Sequence, residues 1–309
     1  MQQHWVKRGF IYNVSGFGFF KSHVTRPIPY LIDDSKLRIF FASRDNTNTM
    51  LPTFIDVEPG DPRTIIAMPE VPLVDLGEKG TFDDSGVVFG SYVDYGEDVM
   101  FYYGGWKRRR EVSFEVSIGM IKWNKAADTF ERVFKGPIVA QDIYHPFMAA
   151  NPFVIKEGDR YRMWYCSGTG WKFPEGNPEP LYTVFHAESH DGVRWQVSTE
   201  PCIRYAYDGE VISAPWVSKT PDGYTMWYST RGCKDRVSKN YVIGMARSAD
   251  GYKWIRCDEE VTLIRSDSGW DSEMVCYPGF YKYKGRDFMI YSGNHVGVGG
   301  IGYAILNND

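Results

Sequence analysis

Short segments rich in aromatic and aliphatic residues alternate with turn residues along the whole chain, and several of these segments align with one another. Each aligned segment contains an apolar run, a turn and a second apolar run, which is the pattern of a β-hairpin. Four copies begin at Phe82, Phe147, Gly209 and Ser272, and a looser fifth copy begins at Ser22. Because no long amphipathic helical pattern accompanies these hairpins, the sequence predicts an all-β protein.

The spacing of the copies indicates the architecture. Met100, Met163, Met226 and Met289 follow one another at intervals of 63 residues. A second, weaker pair of strands follows each hairpin, with Ser-x-Asp-Gly-x-x-Trp turns at 189–195 and 248–254. Four antiparallel strands in each repeat are typical of one β-propeller blade. Five such repeats account for the 309 residues, which predicts a single five-bladed propeller domain over residues 1–309.

The two ends of the chain complement each other. The last copy stops after its third strand, at 301–306, whereas an additional apolar strand at 5–12 precedes the first copy. We predict that this N-terminal strand completes the last four-stranded blade and closes the ring, so that the sheet edges are hidden.

Composition and charge exclude several classes of function. With 35 Lys and Arg against 39 Asp and Glu, the net charge of −4 argues against nucleic-acid binding. No apolar run is long enough for a membrane span, and the N-terminus does not resemble a signal peptide. The five cysteines have no CxxC spacing, which argues against a zinc knuckle or a disulfide framework and favours a reducing cytoplasm. No cofactor motif is present between a strand and a helix, so we expect no cofactor.

Three acidic residues occupy one position of the repeat. Asp84, Glu210 and Glu273 each lie five residues before the repeat's anchor position, so they should converge at the mouth of a central funnel. Cleavage of a glycosidic bond needs one carboxylic acid and one carboxylate. We therefore predict Glu210 and Glu273 as the catalytic pair, with Asp84 orienting the sugar. Alternatively, the three carboxylates are structural and accept backbone N–H groups or pair with arginines.

The remaining candidates are residues expected at the same face of the propeller, where they would bind substrate. Aromatic side chains stack on sugars, and arginines bind carboxylate or phosphate oxygens through two parallel hydrogen bonds. The arginines suit an acidic sugar or, alternatively, neutralise the three carboxylates. A histidine there could shuttle protons or bind a metal, although no short ligand spacing supports a metal site. The candidates are His23, Arg26, Arg44, Asp45, Trp106, His145, Asn151, Trp171, Arg231 and His295.

These motifs resemble those of the five-bladed propeller superfamily of glycoside hydrolases, which includes families 32, 43, 68 and 130. The similarity covers almost the whole chain and rests on blade openings such as Asn-Pro-Phe-Val at 151–154 with Met-Trp-Tyr at 163–165, and on the two Ser-x-Asp-Gly-x-x-Trp turns. The first segment resembles bacterial members whose genes lie beside surface-polysaccharide genes. The resemblance implies a glycosidase or transglycosidase that acts on a carbohydrate.

The chain departs from the family pattern where families 32 and 43 carry their catalytic acids. Arg26, Asn151 and Ser213 stand at positions that hold carboxylates in those families. A carbohydrate-binding propeller without catalysis is therefore an alternative. A third possibility is a sugar lyase or epimerase that uses His23 or His145 as the base.

Overall fold

The computed structural model describes residues 4–232 and 239–307, and the described elements are almost all β-strands. Cys233 lies outside the described residues. The exceptions to strand are two 3-10 turns, Pro174–Gly176 and Asp258–Glu260, and one four-residue helical turn, α1 (Asn294–Gly297). The prediction of an all-β protein is confirmed.

The strands form five four-stranded groups, called sheets 1 to 5 below. Sheets 1 and 2 are joined into one eight-stranded sheet by a single parallel bridge between Met50 and Gly86. Sheet 1 contains β2 (Ser22–Asp33), β3 (Lys36–Arg44), β4 (Met50–Val57) and β5 (Ile65–Ala67). Sheet 2 contains β6 (Gly86–Asp94), β7 (Asp98–Arg108), β8 (Phe114–Asn124) and β9 (Thr129–Arg132). Sheet 3 contains β10 (Ala149–Glu157), β11 (Arg160–Lys172), β12 (Glu179–Ser189) and β13 (Gln196–Pro201).

Sheet 4 contains β14 (Val211–Thr220), β15 (Gly223–Arg231), β16 (Val242–Ser248) and β17 (Ile255–Arg256). Sheet 5 contains β18 (Cys276–Tyr283), β19 (Arg286–Ser292), β20 (Ile301–Asn307) and the N-terminal strand β1 (His4–Tyr12). Strand β1 pairs antiparallel with β20, from His4 opposite Asn307 to Tyr12 opposite Ile301. This pairing confirms that the N-terminal strand completes the last four-stranded antiparallel sheet.

Five apolar clusters lie between the sheets, and each contains buried residues of two neighbouring sheets. One equivalent position on the second strand contributes a fully buried residue to every cluster. These residues are Ile39, Phe101, Met163, Met226 and Met289. Burial of a large apolar side chain contributes about 1.5–3 kcal/mol, so this row is a main source of the stability of the sheet stack.

The structure corrects the repeat by one residue in sheet 2. After the bulge in the first strand, Ser91 pairs with Tyr102 just as Phe153 pairs with Trp164. The buried equivalent of Met163 is therefore Phe101, whereas Met100 is only partly buried. The same shift places Ser85, rather than Asp84, at the position of Glu210 and Glu273. The identical interval between methionines concealed this shift because Met100 lies next to the true core residue.

The two Ser-x-Asp-Gly-x-x-Trp segments form identical turns. Asp191 Oδ1 accepts the backbone N–H groups of Val193 and Arg194, and Trp195 Nε1 donates to the carbonyl of Gly192. Gly192 has a φ of 74°, a conformation that favours glycine. The prediction of a tight turn at these motifs is confirmed.

Every first strand bends at a β-bulge, and the bulges bring neighbouring first strands close together. A Cβ on Gly90 would lie 2.4 Å from the carbonyl oxygen of Pro152, and a Cβ on Gly279 would lie 2.3 Å from that of Pro27. Each first strand contacts the first strand of the next sheet, and β18 of sheet 5 contacts β2 of sheet 1. Side chains from the bulges of different sheets therefore share one region.

Candidate functional site

The bulges place four non-glycine residues in left-handed backbone conformations. The φ angles are 56° at Arg26, 52° at Asn151, 54° at Ala214 and 56° at Tyr277. Such conformations cost energy for residues with a Cβ and cluster at functional sites. Arg26, Ala214 and Tyr277, with Gly90, also line one cavity of about 10 Å³, room for about one water molecule. Four of the five bulges thus meet at one point.

Arg26 carries a buried positive charge at this meeting point. The residue is 9% exposed, and its Nη2 lies 3.5 Å from the carbonyl oxygen of Gly90. The Nη1 atom has no hydrogen-bond partner among the described residues. The guanidinium lies 5.9 Å from the ring centre of Tyr277, and burial lowers the pKa of Arg26. An unpaired buried donor is costly, so an added acceptor would be stabilised here.

Three tyrosines pack beside Arg26. The hydroxyls of Tyr182 and Tyr241 are 2.7 Å apart, and the rings of Tyr241 and Tyr277 are 5.5 Å apart between centres. Burial raises the pKa of Tyr182 and of Tyr277, so both phenols are neutral and can donate hydrogen bonds at pH 7. The set of Arg26, Asn151, Tyr182, Tyr241 and Tyr277 is called the axial cluster below.

Arg231 and Glu179 border the axial cluster. The Arg231 guanidinium lies 5.2 Å from the ring centre of Tyr241, and its Nη2 is 3.3 Å from Glu179 Oε2. Lys239 Nζ is 2.7 Å from the other oxygen of Glu179. This carboxylate is therefore held between two cations, and its side chain is 18% exposed.

Asn151 and Ser213, two of the departures from the family pattern in the sequence, form a hydrogen bond with each other. Asn151 Nδ2 donates to Ser213 Oγ at 2.9 Å and lies 3.8 Å from Cys166 Sγ. Arg26 is the third such departure. With Arg26, these side chains bring amide, hydroxyl and guanidinium groups to the region where the bulges meet.

The two predicted tryptophans, Trp106 and Trp171, form a row with Phe114, which was not predicted, beside the axial cluster. The rings of Trp106 and Phe114 are 4.4 Å apart, and Phe114 lies 5.8 Å from Trp171. These three residues, which come from sheets 2 and 3, are called the aromatic rim. A row of adjacent aromatic faces offers extended apolar area to a partly apolar ligand such as a sugar ring.

His23, Glu273 and His295 lie near the edge shared by sheets 1 and 5, and the neighbouring Arg44 also lines a cavity with Trp106 and Phe114 of the aromatic rim. Burial, with the charges of Arg44 and His295, lowers the pKa of His23 to about 4, so His23 is neutral at pH 7. His295 Nε2 is 3.5 Å from Glu273 Oε2, and both side chains are about half exposed, at 54% and 53%. Of the three predicted catalytic carboxylates, Glu273 is the most exposed to solvent.

Glu210 is bound on all sides by protein donors. Its carboxylate accepts from Ala206 N at 2.6 Å, from Thr230 Oγ1 at 2.7 Å and from both terminal nitrogens of Arg256 at 2.8 Å each. Its side chain is 1% exposed. This geometry fits the structural alternative stated for the acidic residues, because no oxygen is left to contact a ligand. Glu210 and Arg231 nevertheless line one cavity of about 510 Å³ between sheets 4 and 5.

Two further predicted acids have local hydrogen-bond partners. Asp84 accepts from Ser85 Oγ and from Gly80 N, and these bonds lower the pKa of Asp84. Asp45 Oδ1 accepts the backbone N–H groups of Thr47 and Thr49 and thereby closes the loop after β3.

His145 lies in an apolar core. It is 2% exposed, its ring centre is 4.9 Å from that of Phe185, and its Nδ1 lies 3.1 Å from Asp142 Oδ1. Such a buried ring is poorly placed to act as a proton shuttle for a ligand at the axis.

Three residues of the axial cluster were missed from the sequence. Tyr277 has a detectable signal, because it precedes the repeat proline Pro278 just as Arg26 and Asn151 precede theirs. Tyr182 lies within β12 and Tyr241 directly before β16, and they are 59 residues apart rather than 63, so the spacing of the repeat could not reveal them.

The described residues contain neither of two further patterns that bear on function, a metal-binding group of side chains and a membrane-spanning helix. Within residues 4–232 and 239–307, no group of three or more His, Cys, Asp or Glu side chains could hold a metal ion. Among the described helices, none is long and apolar enough to cross a membrane.

Comparison with known proteins places the chain in a family. No model of a known protein family matches it. The uncharacterized protein Rv1502 of Mycobacterium tuberculosis (strain H37Rv) is 35% identical over 308 residues, which cover 98% of this chain and 99% of Rv1502. The uncharacterized protein MT1551 of the strain CDC 1551 has the same identity and coverage. The chain belongs to the Rv1502 family.

Several solved structures have a fold similar to that of this member of the Rv1502 family. A glycosyl hydrolase from Bacteroides ovatus superposes with a TM-score of 0.70 at 13% identity, over 98% of this chain and 90% of that protein. A structure from the GH130 family of mannoside phosphorylases, which contains glycoside hydrolases that target β-1,2 mannosidic linkages in Candida mannan, superposes with a TM-score of 0.68 at 17% identity, over 94% and 86%. A thermostable family-43 glycoside hydrolase gives 0.65 at 13%, over 93% and 88%. The fold is that of propeller glycoside hydrolases, as the sequence resemblance implied.

Proposed function

We propose that residues 1–309 form one five-bladed β-propeller, closed by β1, that acts on a carbohydrate at the axial cluster. The contacts between successive first strands, including β18 with β2, support a closed ring of five blades. Solved propeller glycoside hydrolases with the same fold support a carbohydrate ligand. Fold alone does not determine activity, so the proposal depends on the site.

One observation carries the assignment of the site: left-handed residues from the bulges of different sheets converge on a buried arginine with an unpaired donor. The hydroxyls of Tyr182 and Tyr241 and the aromatic rim of Trp106, Phe114 and Trp171 lie around it. Ligand sites combine apolar walls with a few fixed polar groups, and sugars need both. This arrangement supports binding of a carbohydrate at the axis.

For catalysis, we propose Glu273 as the carboxylate that contacts the substrate. It is exposed and lies beside His295, which itself has a left-handed φ of 53° and is followed by Val296 at 60°. A β-branched residue in this conformation is strained, and such strain is tolerated where a local geometry matters. Glu210 serves as a structural ion-pair partner of Arg256 in this proposal. Asp84, predicted to orient the sugar, accepts hydrogen bonds from Ser85 and Gly80 and has a structural role in this proposal.

The experiment follows sugars released from a panel of bacterial surface oligosaccharides by mass spectrometry in ¹⁸O-water. Release of labelled product by the wild type, lost in Glu273→Gln but retained in the exposed control Glu200→Gln, supports a hydrolase with Glu273 at its site. Product without label supports the lyase or epimerase, in which His23 is the candidate base. Labelled release that survives in Glu273→Gln contradicts the role of Glu273.

A non-catalytic carbohydrate-binding propeller is the second candidate, and the axial chemistry favours it specifically. Arg26, Asn151 and Ser213 bring no carboxylate to the axis, and Glu210 is occupied by Arg256. In this case the panel yields no product, while one or more oligosaccharides raise the melting temperature, since a ligand that binds only the folded state stabilises it.

A further inference from the structure

A cavity of about 280 Å³ lies between sheets 1 and 2, next to the aromatic rim. Three cationic side chains line it, from Arg44, Lys107 and Arg108, and Trp106 and Phe114 provide its aromatic wall. None of the described residues that line it is acidic. A concave surface with one sign of charge raises the local concentration of ligands of the opposite sign.

Two of the three cations already have partners. Lys107 Nζ donates to the carbonyl of Gly80 at 2.7 Å, and its charge helps to lower the pKa of Asp84. Arg108 Nη2 donates to the carbonyl of Thr47 at 2.9 Å and acts in the same way on the pKa of Asp45. Asp45 and Asp84 therefore stand behind the cavity wall and balance these two charges.

The positive charge of Arg44 is not balanced in this way by a carboxylate of the described residues. Its Nη1 donates to Asn48 Oδ1 at 2.8 Å, but no carboxylate of residues 4–232 and 239–307 forms an ion pair with it. Its Nε is buried and lacks a hydrogen-bond partner among these residues. Burial lowers the pKa of Arg44, as expected for a desolvated cation without a counter-ion. An oxyanion would supply the missing charge and acceptor together.

We infer that this cavity is a subsite for an acidic sugar, whose carboxylate, phosphate or sulfate group binds Arg44 while its ring packs against Trp106. The inference rests on the proposed function and names the substrate class of the same site. The charge of Arg44 helps to lower the pKa of His23, and Tyr277 acts electrostatically on Arg44, which joins the subsite to the axial cluster.

The size and walls of the cavity favour an anion carried by a sugar over a free oxyanion. A volume of about 280 Å³ is many times the roughly 10–15 Å³ that one water molecule needs by the same measure. A free phosphate would leave most of this space and the faces of Trp106 and Phe114 in contact with water. A charged sugar occupies both the cationic and the aromatic parts of the cavity.

The test measures affinity by titration calorimetry for acidic oligosaccharides of bacterial surface polysaccharides and for the same oligosaccharides after reduction of their carboxylates to alcohols. Glucuronate, glucose 6-phosphate, glucose and inorganic phosphate serve as small probes. We expect the acidic form to bind about 10–100-fold more tightly than the reduced form, because a hydrogen-bonded ion pair is lost on reduction. Affinity for the acidic form should also fall with added salt.

Variants assign the effect to Arg44. Arg44→Gln should weaken binding of the acidic form about 10–100-fold and of the reduced form less than about threefold, whereas Arg44→Lys, which keeps the charge without the fork, should be intermediate. The control is Arg63→Gln, at an exposed arginine paired with Asp61. It should change neither the affinity for the acidic form nor that for the reduced form. Lys107→Gln provides a second variant if Arg44→Gln fails to fold, and it should lower the affinity for the acidic form alone.

Several results would overturn the inference. Equal affinity for acidic and reduced oligosaccharides, or wild-type affinity in Arg44→Gln, removes the anionic subsite while the proposed carbohydrate function stands. Tight binding of inorganic phosphate with no preference for acidic sugars shows that a free anion is the ligand. Absence of binding to any carbohydrate in the panel contradicts both the inference and the proposed function.

Discussion

Substitution of Glu210 by Gln distinguishes a structural carboxylate from a catalytic one. The change keeps the shape of the side chain but removes its charge and replaces one acceptor oxygen by an NH₂ group. In the folded protein, four donors point at the two oxygens of Glu210, and two of them belong to Arg256. The NH₂ group of the glutamine would then point at N–H or O–H donors and could not accept their hydrogen bonds.

The magnitude follows from burial. The Glu210 side chain is 1% exposed and that of Arg256 is 22% exposed, so solvent screens this pair only weakly. Arg256 Nη2 also lies 2.6 Å from Asp258 Oδ2, so Arg256 keeps one counter-ion, and loss of the Glu210 charge should cost about 1–3 kcal/mol. An unfolding entropy of about 2.1 cal/mol/K per residue gives about 0.65 kcal/mol/K for 309 residues. We therefore expect the melting temperature to fall by about 2–5 °C.

Unfolding by urea, followed by tryptophan fluorescence, measures the change in the free energy of unfolding. Glu273→Gln is the matched control, because its carboxylate is 53% exposed and its loss should change stability by less than about 0.5 kcal/mol. If Glu210→Gln melts like the wild type but abolishes release of sugar, Glu210 acts on substrate and the structural role is refuted.

Three further predictions concern the core, the aromatic rim and a buried histidine. Phe101→Ala should destabilise the protein by about 3–5 kcal/mol and Met100→Ala by clearly less, since only Phe101 is fully buried; equal urea midpoints would contradict the shifted register. Trp106→Ala should weaken carbohydrate binding in calorimetry by about tenfold or more with little change in melting temperature, and unchanged affinity would exclude stacking on this ring. The pKa of His23 is about 4 in the folded protein against 6.5 unfolded, so its contribution to stability is present above pH 6.5 and lost as the pH falls towards 4. His23→Asn should reduce the loss of stability between pH 7 and 4.5 in urea titrations, and an identical loss in both proteins would refute the depressed pKa.

The architecture was predictable because the repeat is carried by core residues. Regular intervals between apolar second strands and the unpaired strand at the N-terminus suffice to predict four-stranded sheets and the pairing of β1 with β20. These features depend on hydrophobic burial, which leaves a periodic trace in the sequence.

The chemistry of the site was less predictable because it depends on single positions. A shift of one residue in sheet 2 separates Asp84 from the row of Glu210 and Glu273, and the sequence alone does not show where the shift occurs. The partner of Glu210 is Arg256, which lies in a fourth strand of only two residues and has no recognisable strand pattern. By contrast, three members of the axial cluster, Arg26, Asn151 and Tyr277, stand directly before a repeat proline, which is a usable signal.

Hydrogen exchange with and without a bound oligosaccharide tests the central claim most directly. The oligosaccharide that most raises the melting temperature would be used, and amide protection would be followed by mass spectrometry. Binding at the axial cluster predicts protection around the bulges at Arg26, Asn151 and Tyr277 and in the turn Asn294–Gly297. Protection confined to the outer strands β9, β13 and β17, with none at the bulges, would contradict a carbohydrate site at the axis.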